Sequence, residues 1–411
     1  MNVELKKRSN LILGVLFFGW IVSYIDRTAI SLALISIGKD LSLSATELGF
    51  VLSAFFFGYA AMQIPGGWLT DKYGTIKLLV GAVIFWSVFT AFTGLAWSLT
   101  SLLLIRFLFG IGEGGYPAAS TKAISIYFQK EQRTKAQSTM MSSNMIGGAI
   151  APIICAPLLL VMDWRNVFFL ISGLGIIFVI ALLWSTKNAQ TFISEERKEN
   201  KEKGSFRKVL KNTYLMRVLL VFFFINIANW GLISWMPTYL MQVHGLDLKK
   251  VGFISAIPAI FGMIGMIISG RIISKLGGRS KYGVIFGAVV LAVCLYLMST
   301  AASAALAITY QSIAFIFVSF MASFIFTTPH SRVVNQHNVG TAFGIVNFGG
   351  QAAGIISPTI MGYLINVSGG SFKTSFIFLA IMCVIAAVIA VTLPVNHQQQ
   401  TNIKSVEGYE L

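Results

Sequence analysis

Charge is what this chain has least of. Charged residues fill only 11% of its 411 positions and 15 of them are acidic, against 56% hydrophobic residues and a mean hydropathy of +0.77. So little charge excludes an ordinary soluble domain, and the apolar runs of spanning length point to a polytopic helical membrane protein. Cysteine is scarce as well. Cys155, Cys294 and Cys383 are odd in number, far apart and each embedded in an apolar run, which excludes a disulfide framework and a zinc site. His244, His330, His337 and His397 fall in loops or at segment ends. With no nucleophile beside a base and no metal cluster, neither an enzyme, nor a cofactor, nor a metal is expected. A cleavable leader is missing too: the first apolar run follows Lys6, Lys7 and Arg8, is too long for a leader core and meets no small-residue cleavage site. Met1 is therefore expected to begin the mature chain.

The charge that is present is mostly basic, with a formal net of +16. A basic chain invites a nucleic-acid reading, but these residues are scattered through short loops rather than gathered on one face. Twelve spans are expected, at roughly 11–36, 47–70, 76–97, 99–127, 136–160, 165–185, 215–241, 250–274, 281–300, 303–327, 340–366 and 372–394. Of 31 basic residues, Lys39, Arg165, Lys249, Lys250 and Lys373 fall on one side, Arg27, Arg106, Lys122 and Arg217 within spans, and the rest with the two termini. That bias places both termini in the cytoplasm. Arg217 and Lys122 read as residues near enough to a span end to snorkel.

The expected organisation is a cytoplasmic N-terminus (1–10), a six-helix bundle (11–185), a charged cytoplasmic linker (186–212), a second bundle (213–394) and a cytoplasmic tail (395–411). The two bundles repeat at a constant offset of 203 residues: Gly49, Gly67, Gly74, Asn144 and Gly147 match Gly252, Gly270, Gly277, Asn347 and Gly350. Two parallel six-span repeats are the build of a rocking secondary transporter. Charge breaks the symmetry. Asp26-Arg27 has Asn229-Trp230 as its counterpart, and Arg106 has Thr309.

The stretch Arg106 to Pro117 sets an arginine and a glutamate, Glu113, seven residues apart in an apolar span. At about 1.5 Å per residue they share a helix face about 10 Å apart. Charge at bilayer depth costs at least about 2.5 kcal/mol, which marks the pair as functional, with a packing ion pair as the competing reading. Gly110, Gly112, Gly114 and Gly115 read as positions for close helix approach and bending before Pro117.

Gly67-Trp68-Leu69-Thr70-Asp71-Lys72-Tyr73-Gly74 resembles the loop motif between helices 2 and 3 of the major facilitator superfamily, a fold of 12 transmembrane helices in two pseudo-symmetric six-helix bundles. There, Gly67, Asp71, Lys72 and Gly74 would form a cytoplasmic gate, the glycines permitting a tight turn. Tyr24-Ile25-Asp26-Arg27, Tyr59 to Gly67, Arg106 to Pro117 and Trp235-Met236-Pro237-Thr238-Tyr239 resemble more specifically the anion:cation symporter branch, which includes bacterial sugar-acid and hexuronate transporters and the sialin and vesicular glutamate transporter relatives. Thr327 to Arg332 departs from it, lacking the tryptophan and acidic residue of many sugar-acid members.

The resemblance implies proton-coupled uptake of an organic anion, such as a hexuronate, aldonate or aldarate, by alternating access in the plasma membrane. Arg27 and Arg106 would face the anion, since a guanidinium pairs bidentately with carboxylate. Asp26 and Glu113 would carry the proton, the coupling ion. Tyr24, Tyr59, Asn144, Asn347 and Gln351 would contact substrate, with packing and interhelical hydrogen bonding as the competing readings. A monomer is expected, with the anion, the proton and the lipid bilayer as partners. The alternative on the same fold is an exchanger or exporter of amphipathic organic anions or drugs.

Overall fold

The computed structural model describes residues 3–187, 209–276, 279–332 and 339–394; most of the expected linker, and the tail, lie outside these. Among the described residues the chain is helical, without a strand. The helices are α1 (Val3–Asp40), α2 (Ala45–Tyr73), α3 (Thr75–Gly94), α4 (Leu99–Gly114), α5 (Tyr116–Tyr127), α6 (Lys130–Val161) and α7 (Trp164–Thr186). After the linker come α8 (Thr213–Gln242), α9 (Leu248–Ile254), α10 (Ala256–Leu276), α11 (Ser280–Met298), α12 (Ala304–Arg332), α13 (Val339–Val367) and α14 (Lys373–Val391).

Among the described residues, ten helical stretches are long and apolar enough to cross a bilayer. The two other expected spans have identifiable exceptions to the pattern. Residues 99–127 are not one helix but α4 and α5, meeting at Gly115, and each piece is too short to cross alone. The other span is α13, 29 residues long but carrying Asn347, Gln351 and Pro358. The architecture is therefore consistent with twelve crossings.

Local chemistry explains the boundaries. Ser44 opens α2 in a reciprocal capping box with Glu47, each side chain taking up a backbone N–H of the other. A single residue, Gly74 at φ +93°, turns the chain from α2 into α3, a conformation that disfavours any side chain. The turn thus falls to Gly74 alone. Gly67, expected to share in it, lies inside α2 with open space beside it. Pro117 in the first turn of α5 lacks the N–H that would reach the carbonyl of Glu113, so the break lands just after that residue.

The residues form two compact units, Met1–Lys201 with Ile233–Ala256 and Gly354–Gly369, and Glu202–Leu232 with Ile257–Ala353 and Gly370–Leu411. In the first unit, α1 packs on α6 and α7, α3 on α4 and α7, and α2 on α4. The α2–α4 seam is backbone on backbone. A Cβ on Gly110 would collide with Phe55 O and stand 2.8 Å from Tyr59 N, and one on Gly114 would stand 2.5 Å from Tyr59 O. Small residues give such a seam its dispersion contacts where apolar burial adds no driving force. Away from the N-terminus the same unit takes in the ends of α8 and α13. Thr359 Oγ1 donates to Ser53 Oγ (2.8 Å) and Trp235 Nε1 to Pro358 O (3.0 Å).

The repeat is visible in these contacts. Gly49 of α2 abuts Pro358 of α13, and its counterpart Gly252 of α9 abuts Pro152 of α6. Within the second unit, α11 packs on α12 and α14. There Arg217 Nη1 donates to Thr392 O (2.6 Å) and Lys281 Nζ to Leu393 O (2.7 Å), satisfying carbonyls at the end of α14. In the first unit Arg8 Nη1 donates to Lys187 O at the end of α7 in the same way (2.8 Å). Arg217 is accordingly a capping residue near a span end.

The seam makes a direct prediction. Gly110→Ala forces apart α2 and α4 at an overpacking cost of about 1–3 kcal/mol, so its melting temperature in detergent falls by several degrees. Gly81→Ala on α3, with open space beside it, leaves the melting temperature unchanged, and equal stability of the two variants would refute the seam's role.

Candidate functional site

Four ionisable side chains meet inside the first unit, between α1, α2, α3 and α4. Asp26 and Arg106 each keep 2% of their surface exposed and Glu113 1%, while the Arg27 side chain is 10% exposed. Adjacent positions on α1 point about 100° apart, so Asp26 and Arg27 serve different neighbours. Arg27 reaches the last turn of α4, where its Nε donates to Glu113 Oε1 at 2.9 Å. Asp26 turns toward Thr90 of α3 and the field of Arg106 on α4. Glu113 is thus hydrogen-bonded to α1, and Arg106, on the same face of α4, lies in the field of both Asp26 and Glu113.

Glu113 has a second donor. Ser23, one turn before Arg27 on the same face of α1, donates its hydroxyl to the same Oε1. The opposite oxygen, Oε2, is buried without a hydrogen-bond partner, as are Asp26 Oδ1, Arg27 Nη2 and Arg106 Nε. Buried polar atoms nearly always find a partner, so two bare acceptors and two bare donors in one cluster point to a ligand of mixed donor and acceptor character.

Aromatic rings supply the rest of the wall. The Arg27 guanidinium carbon lies 4.7 Å from the Tyr59 ring centre, 4.8 Å from Phe55 and 5.5 Å from Tyr24. Arg106 lies 4.4 Å from Phe109 and 5.6 Å from the same Phe55 ring. Ring faces stabilise a cation by about 2 kcal/mol or more once water is removed, without neutralising it. The rings thus pack against both guanidinium groups without pairing with their charge. The rings reach them because glycines let α2 approach α4.

Below Glu113 the broken helix is pinned. Tyr116 Oη donates to Leu16 O (2.8 Å), and its ring sits edge-on to Trp20, Trp86 and Phe178 at 5.3–5.9 Å. Nearer the N-terminal end, Asp71 pairs with Lys122 of α5, whose Nζ also donates to Thr70 O (3.2 Å). Lys122, expected to snorkel, lies instead against Asp71 of the expected gate motif. Lys72 stacks on Trp68 (4.6 Å) and Tyr73 (5.2 Å).

The expected site residues thus divide. Arg27, Asp26, Arg106, Glu113, Tyr24 and Tyr59 come together in one cluster. Asn144 of α6 is half-buried with Oδ1 unpartnered, one turn from Gly147, where a Cβ would stand 2.9 Å from Tyr24 Cβ. Asn347 and Gln351 lie one turn apart on α13 in the second unit, where Gln351 Oε1 is unpartnered. The helix 327–332 belongs to α12, and its side chains lie outside the described residues. Sequence reading missed Ser23, Phe55, Thr90 and Phe109. Helical spacing carried a signal for two of them, since Ser23 precedes Arg27 and Phe55 precedes Tyr59 by four residues.

The chain is 31% identical to the hexuronate transporter of Bacillus subtilis (strain 168), with 92% of each chain covered. It is 30% identical to a Cupriavidus necator protein named "Probable sulfoacetate transporter SauU", with 90% of each covered. The crystal structure of a bacterial homolog to the human lysosomal transporter Spinster superimposes with a TM-score of 0.81 at 20% identity, over 93% of this chain and 96% of that one, which establishes the fold. These are transporters, not enzymes. Residues 16–358 and 330–410 match the family model itself, and the chain belongs to the Major Facilitator Superfamily.

Proposed function

We propose that the protein imports an organic anion, a sugar acid in the first instance, together with protons, by alternating access across the plasma membrane with both termini in the cytoplasm. One observation carries this reading: Arg27, the group best suited to hold a substrate carboxylate, is already held by a carboxylate that belongs to the protein. An arriving anion competes with Glu113 for that guanidinium. Once displaced, Glu113 is a buried charge without its counter-ion, which favours taking up a proton. On the cytoplasmic side the order reverses: Glu113 gives up its proton, reclaims Arg27 and releases the anion. Coupling then needs no covalent step and no cofactor beyond the proton.

The same logic gives Arg106 and Asp26 a second, similar role, with Thr90 beside the carboxylate. Tyr24 and Tyr59, and amides at Asn144, Asn347 and Gln351, are proposed to read the hydroxyls of the acid, and one monomer is proposed to suffice. A sugar acid supplies both a carboxylate for the bare guanidinium nitrogens and hydroxyls for the bare carboxylate oxygens. The gate is Asp71 with Lys122 and the Gly67–Gly74 segment. Its ion pair is exposed on the Asp71 side, so it holds only weakly and is suited to repeated opening.

Reconstituted Glu113→Gln and Asp26→Asn are expected to lose proton-driven accumulation of labelled D-glucuronate by about 5–150-fold, the size of a coupling of 1–3 kcal/mol. Both variants accumulating at the original rate would sink the coupling assignment. Asp71→Asn is expected to slow net uptake several-fold while leaving anion affinity unchanged, as measured by substrate-dependent melting. A melting screen of the wild type against monocarboxylates, dicarboxylates, hexuronates and sulfonates should give a rise for at least one class, because a ligand at 100 times its Kd stabilises by about 2.7 kcal/mol. No rise with any anion counts against the whole reading.

A further inference from the structure

The Glu113 carboxylate is held asymmetrically. Both of its donors, Ser23 Oγ and Arg27 Nε, reach Oε1, while Oε2 meets no donor although the residue is 1% exposed. The donors come from one face of α1, one turn apart, so a single rigid helix grips a single oxygen. They differ in what an anion can do to them. A substrate carboxylate can draw the Arg27 guanidinium away, but it has no charge-based hold on a serine hydroxyl. Facing Glu113 are Tyr24, Asp26 and Arg27 from α1, Tyr59 from α2 and Arg106 from its own helix. Of the donors hydrogen-bonded to it, Ser23 is the uncharged one.

We propose that Ser23 is a positioning residue for proton coupling, keeping Glu113 anchored by Oε1 when Arg27 turns to the anion, so that the bare Oε2 is the atom that takes the proton. This rests on the proposed proton-coupled reading of the site. The proton comes from the outer solution onto Oε2 and leaves from it to the cytoplasm, with no other bond made or broken. A second consequence concerns release. The serine hydroxyl favours the charged carboxylate and helps the proton off, so the residue speeds the cytoplasmic step.

The experiment compares wild type, Ser23→Ala and Ser23→Thr as purified full-length protein. The infrared band of protonated Glu113 is identified by its loss in Glu113→Gln and followed against pH without substrate. Removing a donor to the charged form lets the carboxyl keep its proton to higher pH. The midpoint of the band is therefore expected to rise by about one pH unit in Ser23→Ala, a tenfold change in proton occupancy, and to return in Ser23→Thr. Proton-driven uptake of labelled D-glucuronate should slow several-fold in Ser23→Ala and recover in Ser23→Thr, with melting temperatures unchanged throughout. An unmoved midpoint in Ser23→Ala would overturn the role of Ser23, whatever happens to uptake. Glucuronate uptake by the wild type that ignores the proton gradient would instead overturn the coupled reading and the serine's role in it.

Discussion

The ion pair between Arg27 and Glu113 is the constraint around which the first unit is built. Two charges removed from water cost several kcal/mol each, and a single hydrogen bond at 2.9 Å recovers only part of that. The surroundings make up the difference with groups that hold charge without cancelling it. Phe55, Tyr59 and Tyr24 turn ring faces to the guanidinium, and Ser23 gives the carboxylate a second donor. The α2 rings, Phe55 and Tyr59, are carried toward α4 where Gly110 and Gly114 let the two backbones touch. The break at Gly115, secured by Tyr116 on Leu16, then ends α4 one residue past the carboxylate that α1 must reach.

The second copy of the repeat shows that the architecture does not require this charge. At the position of Arg27 it has Trp230, whose indole N–H donates to Gly350 O at 3.0 Å. Gly350 corresponds to Gly147, the glycine over which Tyr24 lies in the first copy. One helix pair is thus joined by a neutral hydrogen bond and an apolar ring, and its twin sits beside a charge cluster. A neutral joint is the cheaper solution in lipid, so the repeat architecture alone does not account for the charge in the first copy. Each end of the first unit carries an ion pair, Arg165 with Asp40 (2.8 Å) at one and Asp71 with Lys122 at the other, and neutral hydrogen bonds join Thr359 to Ser53 and Trp235 to Pro358.

Much of this was legible in the sequence because a bilayer leaves so few options. Backbone groups in lipid must be satisfied internally, so apolar runs of spanning length can only be helices, and each ionisable residue within them is conspicuous. The glycine motif announced the α2–α3 turn, although only Gly74 makes it and Gly67 does not. Lys122 was harder to read. Snorkelling and gating place a lysine at the same depth near a helix end, and only its distance to Asp71 separates the two.

By itself the sequence determined the class, the repeat with its one-sided charge, and the shared helix face of Arg106 and Glu113, from composition, a constant offset and helical periodicity; that Tyr24, Asp26, Arg27 and Tyr59 belong with them is what the family resemblance implies. Tertiary structure alone decided which partner each charge takes. Arg106 and Glu113 share a helix face, but the hydrogen bonds that hold Glu113 come from α1. Which residues of α1, α2 and α3 meet them depends on the rotation and depth of whole helices, and those are set by backbone contacts at glycines far apart in the chain. That is why Ser23 and Phe55, unremarkable as letters in an apolar run, prove to be neighbours of the charges.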